Sequence, residues 1–349
     1  MSYTNGLDKP SDYFNTSLWS GDGNAQTISG VGFQPDWLWA KCRSDSYSNI
    51  LTDSVRGITK QLKSESNLAE LTNAQGVTAF NADGYVLGTQ ADFAVNSNTF
   101  VGWAWKAGTT GSGTTTGSGT GKAYSYSANS TSGFQITKYV GNGTLGHTIP
   151  NHTGKIPTMI IFKQLNEARG WGVYHKDLGA NKIIYLDENI APQTIESNQW
   201  MNGTVPTSSV VTLGTLNEQN KDGADYIMYS FSNVQSYCKM GSYTGNGSSS
   251  GTYVHLGFKP AWVMIKKTSN SEVWLIMDSK RQGYNPENEY LIADLSNAEG
   301  TPNHINLHSN GFKLTSSGGG FNSSGDTFIY QAFAENPFVT STGIPTTAR

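Results

Sequence analysis

Two histidines four residues apart, His304 and His308 in the run HINLH, are the first residues whose spacing could do chemistry. On a helix they could share a metal ion. On a strand the same spacing puts them on one face but about 13 Å apart, at about 3.3 Å of rise per residue, too far for one ion. No HExxH and no third carboxylate completes a ligand set, so no metal site is expected. His147 and His152 flank a Pro/Asn turn and read as loop residues. Glycoside hydrolysis needs two carboxyl groups about 5–10 Å apart across a cleft. Asp53, Asp177 and Asp278 instead recur once per copy of a long repeat, which suits a turn cap or a buried pair with a nearby arginine. Glu287 and Glu289 sit on a polar loop and read as solvated. A G-x-S-x-G elbow is absent, and neither cysteine lies near a credible histidine. Gly-x-Gly recurs at Gly21/Gly23, Gly141/Gly143 and Gly245/Gly247, but no GK[ST] follows, so these read as tight turns with glycine at positive φ. Asp22 alone does not make a calcium loop, because its counterparts are Asn142 and Asn246. No catalytic residue and no cofactor is expected.

Aromatic residues are the remaining candidates. Trp37 and Trp39 alternate with Leu38 and are expected in the core. Trp171 in ARGWGVY and Trp200 in SNQWMNG have polar, turn-like neighbours. A lid over the end of a sandwich is the favoured reading, and they are also the candidates for a glycan or protein contact on an exposed loop.

The elements that would hold these residues repeat along the chain. LWSGDG…GFQPDWLWAK (18–41), YVGNG…GKIPTMIIFK (139–163) and YTGNG…GFKPAWVMIK (243–266) share one pattern. In each, a proline (Pro35, Pro157, Pro260) leads an apolar strand that ends in lysine (Lys41, Lys163, Lys266). An aspartate follows each strand, and copies one and three share Asp53-Ser54-Val55-Arg56 and Asp278-Ser279-Lys280-Arg281. Each copy closes on an aromatic strand: FVGWAWK, YIMYSFS or FIYQAFA. The proline-led strands are continuously apolar, as expected when both faces are buried. The first closing strand alternates Phe100, Gly102 and Ala104 against Val101, Trp103 and Trp105. No stretch of ten residues carries a helical stripe. The expectation is an all-β chain of three tandem jelly-roll or lectin-like sandwich domains, spanning 1–108, 124–235 (divergent) and 236–339. Residues 109–123, TTGSGTTTGSGTGKA, read as a flexible linker that leaves the second and third domains as a rigid pair. Residues 340–349 read as a flexible tail.

Composition agrees with this class. Charged residues make up only 14% of the 349-residue chain, while 40 Gly, 9 Trp, 17 Tyr and 14 Phe suit many short strands and turns. The net charge of −3 gives no support for nucleic-acid binding. No apolar run reaches the roughly 20 residues of a membrane span, and the start of the sequence has no secretory pattern. The distant Cys42 and Cys238 are expected as reduced thiols.

The opening MSYTNGLDKPSDYF, GFQPDWLWAKCRS, TDSVRG and WAWKAG resemble a repeat domain of marine, cyanophage-like virion structural proteins. The likeness is close in the first copy, good in the third and weaker in the second. It implies a non-enzymatic component of the particle surface, such as a head decoration, knob or fibre, assembled in the host cytoplasm. Its partners would be capsid or tail subunits and further copies of itself. An adhesin for host surface glycans is the alternative, and a polysaccharide depolymerase a lesser one.

Overall fold

The computed structural model describes residues 6–286, 289–301 and 304–347; Glu287 lies outside them. Every paired strand is antiparallel, and the sheets fall into three pairs of one larger and one three-stranded sheet. The first larger sheet runs Phe14–Ser20, Thr99–Trp105, Trp37–Cys42, Ile50–Asp53, Lys60–Lys63, Leu71–Thr72. The third runs Cys238–Thr244, Thr327–Pro337, Phe258–Lys267, Trp274–Asp278, Leu291–Ile292 in the same order. The second contains that order too, from Phe134–Val140 through Asp225–Ser232, Pro157–Gln164 and Gly172–His175 to Lys182–Tyr185. Two strands are added outside Phe134–Val140 and one beyond Lys182–Tyr185.

The proline-led strands are apolar throughout because their two faces serve two different cores. Leu38 and Ala40 point into their own sheet pair, while Trp37 and Trp39 point into a core shared by all three. Ile160 and Phe162 divide from Met159 and Ile161 in the same way, as do Val263 and Ile265 from Trp262 and Met264. Aromatic rings link the three pairs around that shared core. Trp37 stacks on Tyr229 at 4.6 Å, Phe231 meets Phe333 at 5.8 Å, and Trp105 meets Trp262 at 5.9 Å. Burying aromatics of this size from three sheets against one another is the largest hydrophobic contribution in the molecule.

Local motifs behave as turn chemistry demands. Pro157 and Pro260 sit where the ladder to the closing strand slips by a residue, so a missing N–H breaks no regular bond. The two glycines of Gly-x-Gly have different jobs. A Cβ on Gly21, Gly141 or Gly245 would lie 2.2, 2.4 or 2.3 Å from a backbone oxygen, of Val95, Lys221 and Ser323 respectively. The second glycines, Gly23, Gly143 and Gly247, take φ of +82°, +67° and +65°. Those three oxygens belong to residues that end one-turn helices, Ala91–Ala94, Asn217–Asn220 and Gly319–Asn322, which are too short to show a periodic stripe.

Three expectations need correction. Residues 109–121 are not a free tether: Thr109–Thr114 pairs with Ala123–Asn129, and Thr116–Gly117 crosses to pair with His147–Pro150 in the smaller sheet. Asn142 Nδ2 holds this crossover through the carbonyls of Ser118 and Thr120. Flexible linkers and glycine-bearing strands share a composition, and only pairing separates them. Second, the first sheet pair is not hung loosely from the other two, since it supplies Phe14, Trp37, Trp39, Trp103 and Trp105 to the common core. Third, the segment after residue 339 folds back, with Thr346 donating to the Phe338 carbonyl at 3.0 Å and the Ser341 amide to Asp8 at 2.7 Å.

Candidate functional site

The recurring polar residues converge on the seams between sheet pairs. Lys41, Lys163 and Lys266 are fully buried, and each amine bonds a backbone carbonyl of a neighbouring pair. Lys41 reaches Ser296 at 3.0 Å, Lys163 reaches Asn67 at 3.2 Å and Lys266 reaches Asn189 at 3.0 Å. The three contacts run in one rotational sense: first to third, second to first, third to second. Burial pulls each amine down to about 8. Beside them stand Glu65, Asp187 and Asp294, whose carboxyls burial pushes up, the aspartates to about 6. Each accepts a backbone amide, from Asn49, Trp171 and Trp274 respectively.

The same three residues then cross a seam with their side chains. Asn49 Nδ2 donates to the carbonyls of Ile292 and Leu295, Trp171 Nε1 to those of Lys63 and Ser66, and Trp274 Nε1 to that of Tyr185. The rotational sense is again the same.

A second ring of contacts uses the aspartates. Asp53 opposes Trp37 across its ladder and Asp278 opposes Trp262. Both carboxylates are buried, cap the amides two and three residues on, and bind an arginine Nε, Arg56 at 2.5 Å and Arg281 at 2.6 Å. Glu70 and Glu299 pair with the same guanidiniums. Tyr229 donates to Asp53 at 2.7 Å, and Trp103 Nε1 donates to Asp278 at 3.0 Å, each from another sheet pair. In the second copy the register puts His175, not Asp177, at this position, since Met159 opposes His175. Asp177 lies two residues on and pairs with Lys176 near the surface, so it is not the counterpart of Asp53 and Asp278. Its amide donates to His175 Nδ1, so the imidazole caps the turn as a carboxylate does elsewhere. Burial, opposed by Asp177, lowers the His175 pKa to about 4. The residue facing it in register terms, Gln331, corresponds to Trp103 and Tyr229. Gln331 Nε2 is buried without a hydrogen-bond partner, while His175 interacts with the Tyr330 backbone.

Trp171 and Trp200, the candidate binding platforms, are both fully buried. Trp171 plugs the seam to the first pair, and Trp200 packs on Phe162 in the core of the second. Polar neighbours in sequence said nothing about the apolar partners each ring meets from elsewhere. Asp22, Asn142 and Asn246 cap one shared turn, each accepting the amide two residues on. Glu289 pairs with Arg43 at 3.2 Å. His304 stacks on Phe321 with 4.0 Å between ring centroids, and among the described residues no group of three His, Cys, Asp or Glu could hold a metal ion. Cys42 and Cys238 are buried free thiols.

One surface cluster escaped the sequence reading. Tyr126 and Tyr124 face Gly111 and Gly113 across the ladder and pack on them; a Cβ would lie 2.7 Å from the Tyr126 hydroxyl and 3.0 Å from the Tyr124 ring. His152 stacks on Tyr126 with 3.7 Å between centroids and 8° between planes. The signal was present as Gly-x-Gly facing Tyr-x-Tyr, an aromatic cover over strand glycines.

A single family pattern runs through residues 9–337, across all three copies and the crossover between the first two. The chain belongs to the DUF7483 family, a domain of unknown function. No curated protein and no solved structure matches it. In this DUF7483 chain Lys41, Lys163 and Lys266, whose amines burial pulls down, are held inside seams, each bonded to backbone. Among the described residues no helix is long and apolar enough to cross a membrane.

Proposed function

We propose that the protein is a non-enzymatic building block of a phage particle surface, acting through multivalent protein–protein contacts. It would be made of three copies of one sandwich unit, 1–108, 124–235 and 236–339, closed in a ring about a pseudo-threefold axis. One observation carries the reading: the lysine that ends the central strand in every copy reaches across a seam to a neighbouring copy. The recurring sequence therefore serves assembly of a rigid body and not an open catalytic pocket. Resemblance of the first and third copies to marine phage virion repeats supplies the setting. Cyclic closure within one chain satisfies the contacts that three separate subunits would otherwise make, so further copies would be arranged by the symmetry of the particle.

The test is a cryo-EM map of purified particles whose genome encodes this chain. Three-lobed density repeated over the capsid lattice, or ringed at the tail, supports the proposal. Absence of the chain from particles, by mass spectrometry and by density, overturns it.

A further inference from the structure

We infer that the Tyr124–Tyr126–His152 cluster is a binding platform for a neutral pyranose of a glycan chain. The three rings are near-parallel, with His152 stacked on Tyr126: His152 is 8° from Tyr126 and 22° from Tyr124, and the two tyrosines are 22° from each other. Tyr126 is covered by Gly111 on one side and by His152 on the other, so His152 presents the outermost ring face. His152 is exposed, and its Nε2 lies 3.2 Å from the Tyr124 hydroxyl, which fixes the ring against rotation. Rings held flat in advance lose little freedom when a ligand stacks on them.

The surroundings choose the ligand class. A cleft of about 220 Å³ beside Tyr124 is edged by Lys138 and Asp225, which pair at 3.8 Å. A second cleft of about 480 Å³ beside Tyr126 is edged by Asp36 and Lys106. Each edge carries one charge of either sign. A nucleic-acid strand also stacks on aromatic rings, but it needs several unpaired cations for its phosphates; Lys138 is paired with Asp225, which leaves Lys106 as the cation at these two edges. A pyranose has an apolar C–H face for the rings and hydroxyls for the Lys138–Asp225 edge. An open cleft beside each tyrosine suits a chain passing over the platform rather than a single enclosed sugar. The larger cleft is shared by Asp36 and Ser54 of the first sheet pair and Thr110 and Tyr126 of the second, and the site does not depend on where the protein is displayed.

The experiment uses the full chain, titrated by calorimetry and saturation-transfer NMR with cellohexaose, maltohexaose, laminarihexaose and chitohexaose. At least one is expected to bind with Kd of about 0.1–1 mM, as one exposed stacking platform allows. His152→Ala and Tyr124→Ala should each weaken binding about tenfold, while Tyr253→Ala, an exposed ring elsewhere, leaves it unchanged. His152→Ala removes an exposed side chain and should keep the wild-type melting temperature, so its loss of binding reads the site and not the fold. Failure of all four hexasaccharides to bind would overturn the inference. So would binding that survives His152→Ala, or a dT12 oligonucleotide that binds more tightly than any of them and loses affinity in that variant.

Discussion

Two of the three aspartate-position seams are charged and one is neutral. Asp53 with Arg56 and Glu70, and Asp278 with Arg281 and Glu299, put ion networks into water-excluded space and complete them with Tyr229 or Trp103 from another sheet pair. The second copy reaches the same backbone turn with His175, and Leu178 stands where an arginine would be. What the position requires is therefore an acceptor for the following amide, supplied by a carboxylate oxygen or by an imidazole nitrogen. The charged solution demands a guanidinium to offset desolvation; the neutral one avoids that demand and leaves the Gln331 donor without an acceptor.

The largest effect should come from breaking a charged seam. Asp278→Ala strands Arg281 and the Trp103 indole N–H, and a loss of about 3–5 kcal/mol is expected in urea denaturation. A loss under about 1 kcal/mol would mean the networks are spectators. His175→Asp should cost about 3 kcal/mol, because it buries a carboxylate with no guanidinium. Adding Leu178→Arg should recover at least half of that, and a double-mutant cycle with no coupling would show that the seams are not equivalent.

Acid should act on the neutral seam next. His175 titrates near 4 when folded and near 6.5 when unfolded, so the unfolded chain takes the proton first and stability falls as pH drops from about 6.5 to 4. The full contribution is up to about 3 kcal/mol. Asp187 and Asp294, raised to about 6, act oppositely between about 3.8 and 6, because there the folded chain holds more protons. Comparing wild type with His175→Leu across this range isolates the histidine; identical slopes would remove it from the account. The smallest effects lie in the facing residues. Tyr229→Phe should cost about 1–2 kcal/mol by withdrawing a donor from Asp53, whereas Gln331→Leu should be neutral or stabilising by up to about 1 kcal/mol. Thermal melts of the two side by side test whether the donor matters only where a carboxylate awaits it.

Much of this was legible in the chain itself. The repeated GxG, the proline-led strand and its terminal lysine are local signals, and each occupies the same place in all three sheet pairs. Asp177 was misassigned by two positions because residue identity was matched, while the ladder Met159–His175 decides which side chain points into the seam. Trp171 was a candidate for a loop contact because its apolar surroundings are not its sequence neighbours; its indole bonds carbonyls of Lys63 and Ser66, in the first sheet pair. The Tyr124–Tyr126–His152 layer was hidden for a related reason, since His152 reaches the tyrosines only after the chain has passed into the smaller sheet and out again.

By itself the sequence determined the all-β class and the two-sided burial of the central strands, because turn chemistry and side-chain alternation act over a few residues. Only the tertiary structure decided that Thr109–Thr114 and Thr116–Gly117 are paired strands and not tether, that the first sheet pair joins the common core, and which tryptophans are buried. Those outcomes depend on cross-strand pairing and on surfaces contributed by distant segments, and a chain's local pattern carries no record of what will be packed against it.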